Sequence, residues 1–246
     1  MVTHRTIRHF AIGLVCLFAA LGSPSRAEAC GASGPDGIAY CSLSEHHDYT
    51  RPLWAVGLSG LYTSTNIHFS HGVKGDETRD ELLAAVAYMP SARVTLQAGL
   101  GATFGGHLDM PDGRHDFSVG PAVLLGAAWR AIDQDEFVIL SSALSFSASQ
   151  TQQAMQTREA YEAFDLRLGA VFGVTLFDTL SPYVPLRVFG GPIFWRYAGQ
   201  AVTGTDAYHY QVGLGIALHI GPHFNVFAEG IPLGEKALAA GVTWTP

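Results

Sequence analysis

The stretch Arg93-Val94-Thr95-Leu96-Gln97-Ala98-Gly99-Leu100-Gly101-Ala102-Thr103-Phe104 decides the fold. Val94, Leu96, Ala98, Leu100, Ala102 and Phe104 share one parity. Arg93, Thr95, Gln97, Gly99, Gly101 and Thr103 share the other. A period of two puts the first set on one face of an extended strand and the second on the opposite face. The pattern is equally clear in three other places. Phe117, Val119, Val123, Leu125 and Trp129 oppose Ser118, Gly120, Gly126 and Arg130. Phe164, Leu166, Leu168, Phe172, Val174 and Leu176 oppose Asp165, Arg167, Gly169, Gly173 and Thr175. Tyr208, Tyr210, Val212, Leu214, Ile216 and Leu218 oppose His209, Gln211, Gly213, Gly215 and His219.

Working outward from these, the chain reads as ten strands: 54–69, 77–89, 93–108, 115–131, 136–149, 160–177, 182–198, 207–220, 224–232 and 236–245. The first and fifth alternate least cleanly. Most exceed the usual strand length of about 5–6 residues. Short turns (Pro90-Ser91-Ala92, 132–135, 177–181, 221–223) alternate with longer polar ones (71–76, 109–114, 150–159, 199–206). Only the last hairpin, around Pro232-Leu233-Gly234-Glu235, has a short outer loop.

Before this region stands a basic start (His4, Arg5, Arg8), an apolar run from Phe10 to Gly22, and small residues through Ala27 and Ala29. That is the layout of a cleaved export signal, here 1–29, with cutting after Ala27 the alternative. The apolar run is too short for a spanning helix, which needs about 20 residues. Cys16 leaves with the leader, and Cys30 and Cys41 remain in a Gly-rich segment. In an oxidising compartment they are expected to pair, closing a periplasmic segment over 30–50. Without Arg5, Arg8, Arg26 and Glu28, 20 acids face 11 bases, a net of −9. Such a balance argues against nucleic acid as a partner.

Long alternating strands behind an export signal, with turn lengths alternating, predict an antiparallel up-and-down transmembrane β-barrel over 51–246. Trp54, Trp129, Trp195, Tyr197, Tyr208, Tyr210 and Trp244 fall near strand ends, where interfacial girdles belong. A soluble barrel is the alternative, but its lumen would be overfilled by so many large apolar side chains. These features, with the closing Ala237-Leu238-Ala239-Ala240-Gly241-Val242-Thr243-Trp244, resemble the small bacterial outer-membrane β-barrel proteins. The resemblance implies outer-membrane lipid and the barrel-assembly machinery as partners. One departure is the end itself: such barrels usually finish on an aromatic residue, and this chain finishes Trp244-Thr245-Pro246.

The parity that carries the small residues places Arg93, Asp165, Arg167, Arg187, His209, Gln211 and Glu229 in the lumen. Arg187 and Glu229 lie at similar height on strands two apart, so the sequence predicts a contact between them, as a structural clasp or as a gate. His68, His71, His107, Asp109, Asp112, His115 and Asp116 gather at the outer rim. They read as solvated loops, with a divalent metal as the alternative. Outer-membrane proteases need an Asp–His couple facing an acidic pair; only Asp206 and His209 approximate one, and His68 beside Ser70 is a weak lipase-like pair. No phosphate loop, zincin motif or nucleophile elbow occurs. The expectation is therefore a non-enzymatic barrel without cofactor, with a largely closed lumen and a structural or surface-interaction role. A narrow pore for small solutes is the first alternative and a barrel hydrolase the second.

Overall fold

A computed structural model describes residues 29–33, 38–42, 53–133, 135–153, 158–177, 179–197, 199–221 and 223–246. The leader through 28 and the stretch 43–52 lie outside the described residues. A short hairpin comes first, β1 (Ala29–Ser33) and β2 (Ile38–Ser42), with Cys30 standing opposite Cys41 in the register. The wall follows: β3 (Leu53–Phe69), β4 (Lys74–Ser91), β5 (Val94–Met110), β6 (Gly113–Phe117), β7 (Gly120–Asp133), β8 (Glu136–Gln152) and β9 (Glu159–Val174). It is completed by β10 (Leu180–Gly190), β11 (Ile193–Tyr197), β12 (Gln200–Asp206), β13 (Tyr210–Ile220), β14 (Phe224–Gly234) and β15 (Lys236–Trp244).

All pairings are antiparallel, and the wall closes as a ring of ten strands, β3-β4-β5-β7-β8-β9-β10-β13-β14-β15 and back to β3. The expected ten-stranded barrel is therefore the observed architecture. Three of the ten lines are interrupted: β6 from β7 at Ser118-Val119, β10 from β11 at Gly191-Pro192, and β12 from β13 at Ala207–His209. At the first two breaks neighbouring backbones come so close that a Cβ on Gly120 or Gly191 would collide with the carbonyl of Ala148 or Phe164. Only glycine fits there.

The final hairpin ends low in the wall, and above it β12 crosses to pair with β3, Gly204 opposite Phe69 and Asp206 opposite Ile67. A second, smaller ring results: β3-β4-β5-β6-β8-β9-β11-β12. The barrel thus narrows from ten strands to eight toward the end away from the termini, which is the outer end in this topology.

The strands outrun a bilayer. A tilted strand crosses in about 9–11 residues, whereas β3, β5 and β8 have 17 residues and β4 has 18. Along β3 the outward parity runs Trp54, Val56, Leu58, Gly60, Tyr62 and then Ser64, Asn66, His68. Its inward parity runs Ala55, Gly57, Ser59, Leu61, Thr63, Thr65 and then Ile67, Phe69. The apolar face changes sides while the alternation keeps step. In β4 the outward face likewise turns from Leu82 and Val86 to Lys74 and Asp76, while its upper inward face carries Glu77, Arg79 and Glu81. The lower wall is dressed for lipid and the upper wall for water around an apolar core. Much of what reads as long outer loops is this upper wall: residues 200–206 are strand β12, and β5 meets β6 across the two-residue turn Pro111-Asp112.

The barrel lumen as candidate site

The upper ring is filled. Ile67, Phe69, Leu108, Met110, Phe117, Tyr161, Ile193 and Trp195 are buried together in its interior. Phe69 and Trp195 have ring centres 5.3 Å apart, Phe117 and Tyr161 4.9 Å, and His115 meets Trp195 edge-on at 5.2 Å. The polar edges of this cap are satisfied: Trp195 Nε1 donates to Thr151 Oγ1 at 2.9 Å, and the Tyr161 hydroxyl to Glu77 at 2.7 Å. Trp195 is therefore core, not girdle, and Tyr197 stacks beside it at 4.7 Å. Trp54, Trp129 and Trp244 at the inner end, with Tyr208 and Tyr210 near the outer one, do face outward.

Beneath the cap lies a charged layer. Arg79 pairs with Glu77, donates to Ser147 Oγ at 2.8 Å and stands 3.5 Å from Glu81. Its guanidinium sits 5.8 Å from the Tyr161 ring and 6.0 Å from the Phe117 ring, so the cap's floor is cation–π as well as ionic. Across the lumen Arg167 pairs with Asp165 and reaches Glu235 at 3.2 Å, and Gln211 Nε2 donates to the same Glu235 oxygen at 2.7 Å. Glu235 comes from the tip of the last hairpin, bent into the barrel. Glu77, Arg79, Glu81, Asp165, Arg167, Glu235 and Asp206 border a small cavity of about 80 Å³. Five carboxylates (Glu77, Glu81, Asp165, Asp206, Glu235) face two guanidiniums (Arg79, Arg167) around it.

Next down is the contact between Arg187 and Glu229. The two form a two-pronged pair at 2.7 and 3.1 Å, with both side chains fully shielded from solvent. Arg187 stands opposite Gly169, which leaves its stem room to cross the lumen. An apolar band follows, with Phe137, Ile139, Val171, Tyr183 and Phe227 among its members. Ser181 and His219, 3.0 Å apart, lie near the inner mouth with Arg130 lining the same pocket.

Asp165, Arg167, Arg187, Gln211 and Glu229 sit on the inward parity of their strands, with Arg187, Gln211 and Glu229 buried. Arg93 does not: it is exposed in the Ala92-Arg93 turn, one residue short of β5. His209 is exposed in the break between β12 and β13, whereas Asp206 closes β12 on the inner face, so the two do not form a couple across a cleft. Five of the rim residues, His107, Asp109, Asp112, His115 and Asp116, have polar contacts. His107 contacts Asp109 at 3.2 Å and Thr78 at 2.9 Å, Arg114 contacts Asp116 at 3.1 Å, and His115 contacts Asp112 at 3.3 Å. Burial pushes the Asp112 carboxyl up, but hydrogen bonds from Tyr197 and His115 and the charge of His115 outweigh it and hold it below the usual range. Among the described residues no group of three or more His, Cys, Asp or Glu is placed to hold a metal ion.

Glu77, Arg79, Glu81 and Glu235 were not singled out from the sequence. The signal was present for the first three: they share parity with Ala85, Ala87 and Met89 and oppose Leu82 and Val86. Nothing local marks Glu235, whose place depends on how the last hairpin folds inward.

Similar solved structures are bacterial outer-membrane β-barrels. The translocator domain of the autotransporter NalP from Neisseria meningitidis is 13% identical with a TM-score of 0.47, over 80% of this chain and 90% of that one. The outer membrane protein OprG from Pseudomonas aeruginosa is 9% identical with a TM-score of 0.43, over 79% and 95%. The N-terminal β-barrel domain of OprF from the same organism is 11% identical with a TM-score of 0.37, over 78% and 97%. At such identities the likeness concerns the fold alone. No family model and no curated protein matches the chain. The chain's own hydrogen-bond ring makes it an antiparallel β-barrel of ten strands.

Proposed function

We propose that this is an outer-membrane barrel with a closed lumen, serving a structural and surface-facing role through its rigid outer cap. The observation that carries this reading is closure at two depths. The aromatic cap fills the eight-stranded ring, and the Arg187–Glu229 pair bridges the lumen below it. Among the described residues, the short outer turns at Ser70–Gly72 and Pro111-Asp112 give the cap a compact polar surface for contact with other molecules. No catalytic role and no cofactor form part of this reading. Export by the leader at 1–29 belongs to it, as does a Cys30–Cys41 bridge, which is supported by their positions opposite each other in the β1–β2 register. Free thiols at both positions in unreduced protein, seen by mass spectrometry, would refute the bridge.

The chamber under the cap supports a second reading, a narrow path for small solutes. Planar bilayer recording separates the two. Purified wild-type protein is expected to give no stable conductance, and nanosiemens openings would defeat the closed reading. Conductance that appears only in Arg187→Ala or Glu229→Ala would identify the pair as a closure rather than wall decoration.

A further inference from the structure

Thr65 stands where three parts of the upper wall meet. Its register partner on β4 is Glu77. On its other side Lys236 pairs with Ser64, which brings Glu235, at the tip of the last hairpin, beside it. One inward step higher, Ile67 pairs with Asp206 of β12. All four side chains line the cavity under the cap. The Thr65 hydroxyl therefore sits among three carboxylates. The residue is 9% exposed, and its hydroxyl faces Asp206 without forming a hydrogen bond of normal geometry. Two more buried oxygens of this layer lack a donor among the described residues, Asp165 Oδ1 and Gln211 Oε1. Gln211 is 1% exposed, and its amide nitrogen is already given to Glu235.

The layer is short of positive charge as well as of donors. Five carboxylates line the cavity against two guanidiniums, a formal balance of −3. Arg79 is committed to Glu77 and Ser147, and Arg167 to Asp165 and Glu235. Asp206 registers the deficit. Burial, then the charges of Glu77 and Asp165, push its carboxyl up to about 6 against the pull of Arg167. Enclosed charge needs a partner, and an occupant that is cationic and rich in N–H groups meets both shortages. Among the described residues no three His, Cys, Asp or Glu converge on a metal ion, which holds its oxygens at about 2.0–2.6 Å. An ammonium reaches oxygens at about 2.7–2.9 Å through three N–H groups, so acceptors set wider apart suffice. One water needs about 10–15 Å³ of such space, so a cavity of about 80 Å³ admits an occupant of a few heavy atoms.

We propose that the cavity under the cap is a binding site for a small primary ammonium ion, seated between Thr65, Asp206 and Glu235 with Asp165 as a further acceptor. The occupant completes the ion balance that the two arginines leave open, and it is captured between cap and Arg187–Glu229 pair as the barrel closes. This goes beyond the closed-lumen reading and does not depend on it, since a barrel can hold the ion whether or not it conducts.

Radiolabelled methylammonium is the probe. The full chain is refolded from urea into detergent in its presence near neutral pH, so that no entry route is required. Equilibrium dialysis then counts label bound per folded chain, with heat-unfolded protein as the blank. Saturable binding of one ion per chain is expected, and its absence refutes the site. Thr65→Val and Asp206→Asn should each weaken binding about tenfold, the loss of one hydrogen bond to a charged group, while keeping the heat-modifiable folded band. Thr65→Ser should bind as the unaltered chain does, and so should Asp76→Asn, a change on the exposed outer wall. Unchanged affinity in folded Thr65→Val or Asp206→Asn overturns the proposal. Competition on the unaltered chain needs no variant. Ethylammonium should displace the label, whereas equal concentrations of potassium or of tetramethylammonium, which has the charge but no N–H, should not. Displacement by either as effective as by ethylammonium would make the layer a plain counter-ion site and overturn the assignment.

Discussion

At the residue scale, the Arg187–Glu229 pair has the largest consequence. Both charges are fully buried and two-pronged, so removing one leaves the other without its main counter-charge in a low-dielectric lumen. Arg187→Ala or Glu229→Ala should each cost about 3–5 kcal/mol. An apolar exchange of both, Arg187→Met with Glu229→Leu, should lie near neutral or be more stable by about 1–4 kcal/mol. Urea midpoints in detergent, read from the folded band on unheated gels, give the comparison. Equal losses in the single and double variants would show that the pair contributes through something other than mutual charge. Trp195 tests the cap in the same way: Thr151→Val removes the acceptor of its buried indole N–H, for an expected cost of about 1–3 kcal/mol.

At the element scale, the lesson lies in the change of face along each long strand. Alternation over 93–104 is legible because that stretch lies within the bilayer, where the apolar parity is constant. β3 reads poorly in the sequence because its apolar parity crosses from Trp54, Val56 and Leu58 to Ile67 and Phe69. A reader who expects one apolar face sees the pattern fail. The upper halves of β4, β5 and β12 carry polar outward residues and so resemble loops, although they are wall. Trp195 shows the same confusion, its position near a strand end matching a girdle while its parity puts it in the core. Fluorescence in brominated lipid separates the two environments. Trp54, Trp129 and Trp244 should be strongly quenched, while Trp195, as the single tryptophan of a variant with the other three changed to Phe, should be nearly unaffected. Strong quenching of Trp195 would mean that the upper ring lies in the bilayer and that the change of face has another cause.

At the scale of the whole molecule, the strand count was legible and the narrowing of the ring was not. Ten alternating segments can be counted along the chain, because each is local. The upper closure joins β12 to β3, residues such as Thr205 and His68 that are far apart in sequence, and no local pattern announces such a pairing. It follows instead from a mismatch of lengths. β14 and β15 span only 11 and 9 residues, so above their tip β3 has a free edge that must pair or remain exposed. β12, leaving the line of β13 at the 207–209 break, takes that edge and draws eight strands into a ring tight enough for eight apolar side chains to fill. The pairing makes a geometric prediction. Thr205 and His68 are register partners with side chains on the outer face, within the separation that a disulfide bridges. In a background with Cys30 and Cys41 changed to Ser, Thr205→Cys with His68→Cys should cross-link under mild oxidation and shift the unheated band. Thr203→Cys with His68→Cys, one face-repeat out of register, should cross-link much less. If the mismatched pair formed equally well, β12 would not hold this register, the upper ring would be open, and the aromatic cap would lose the frame that packs it.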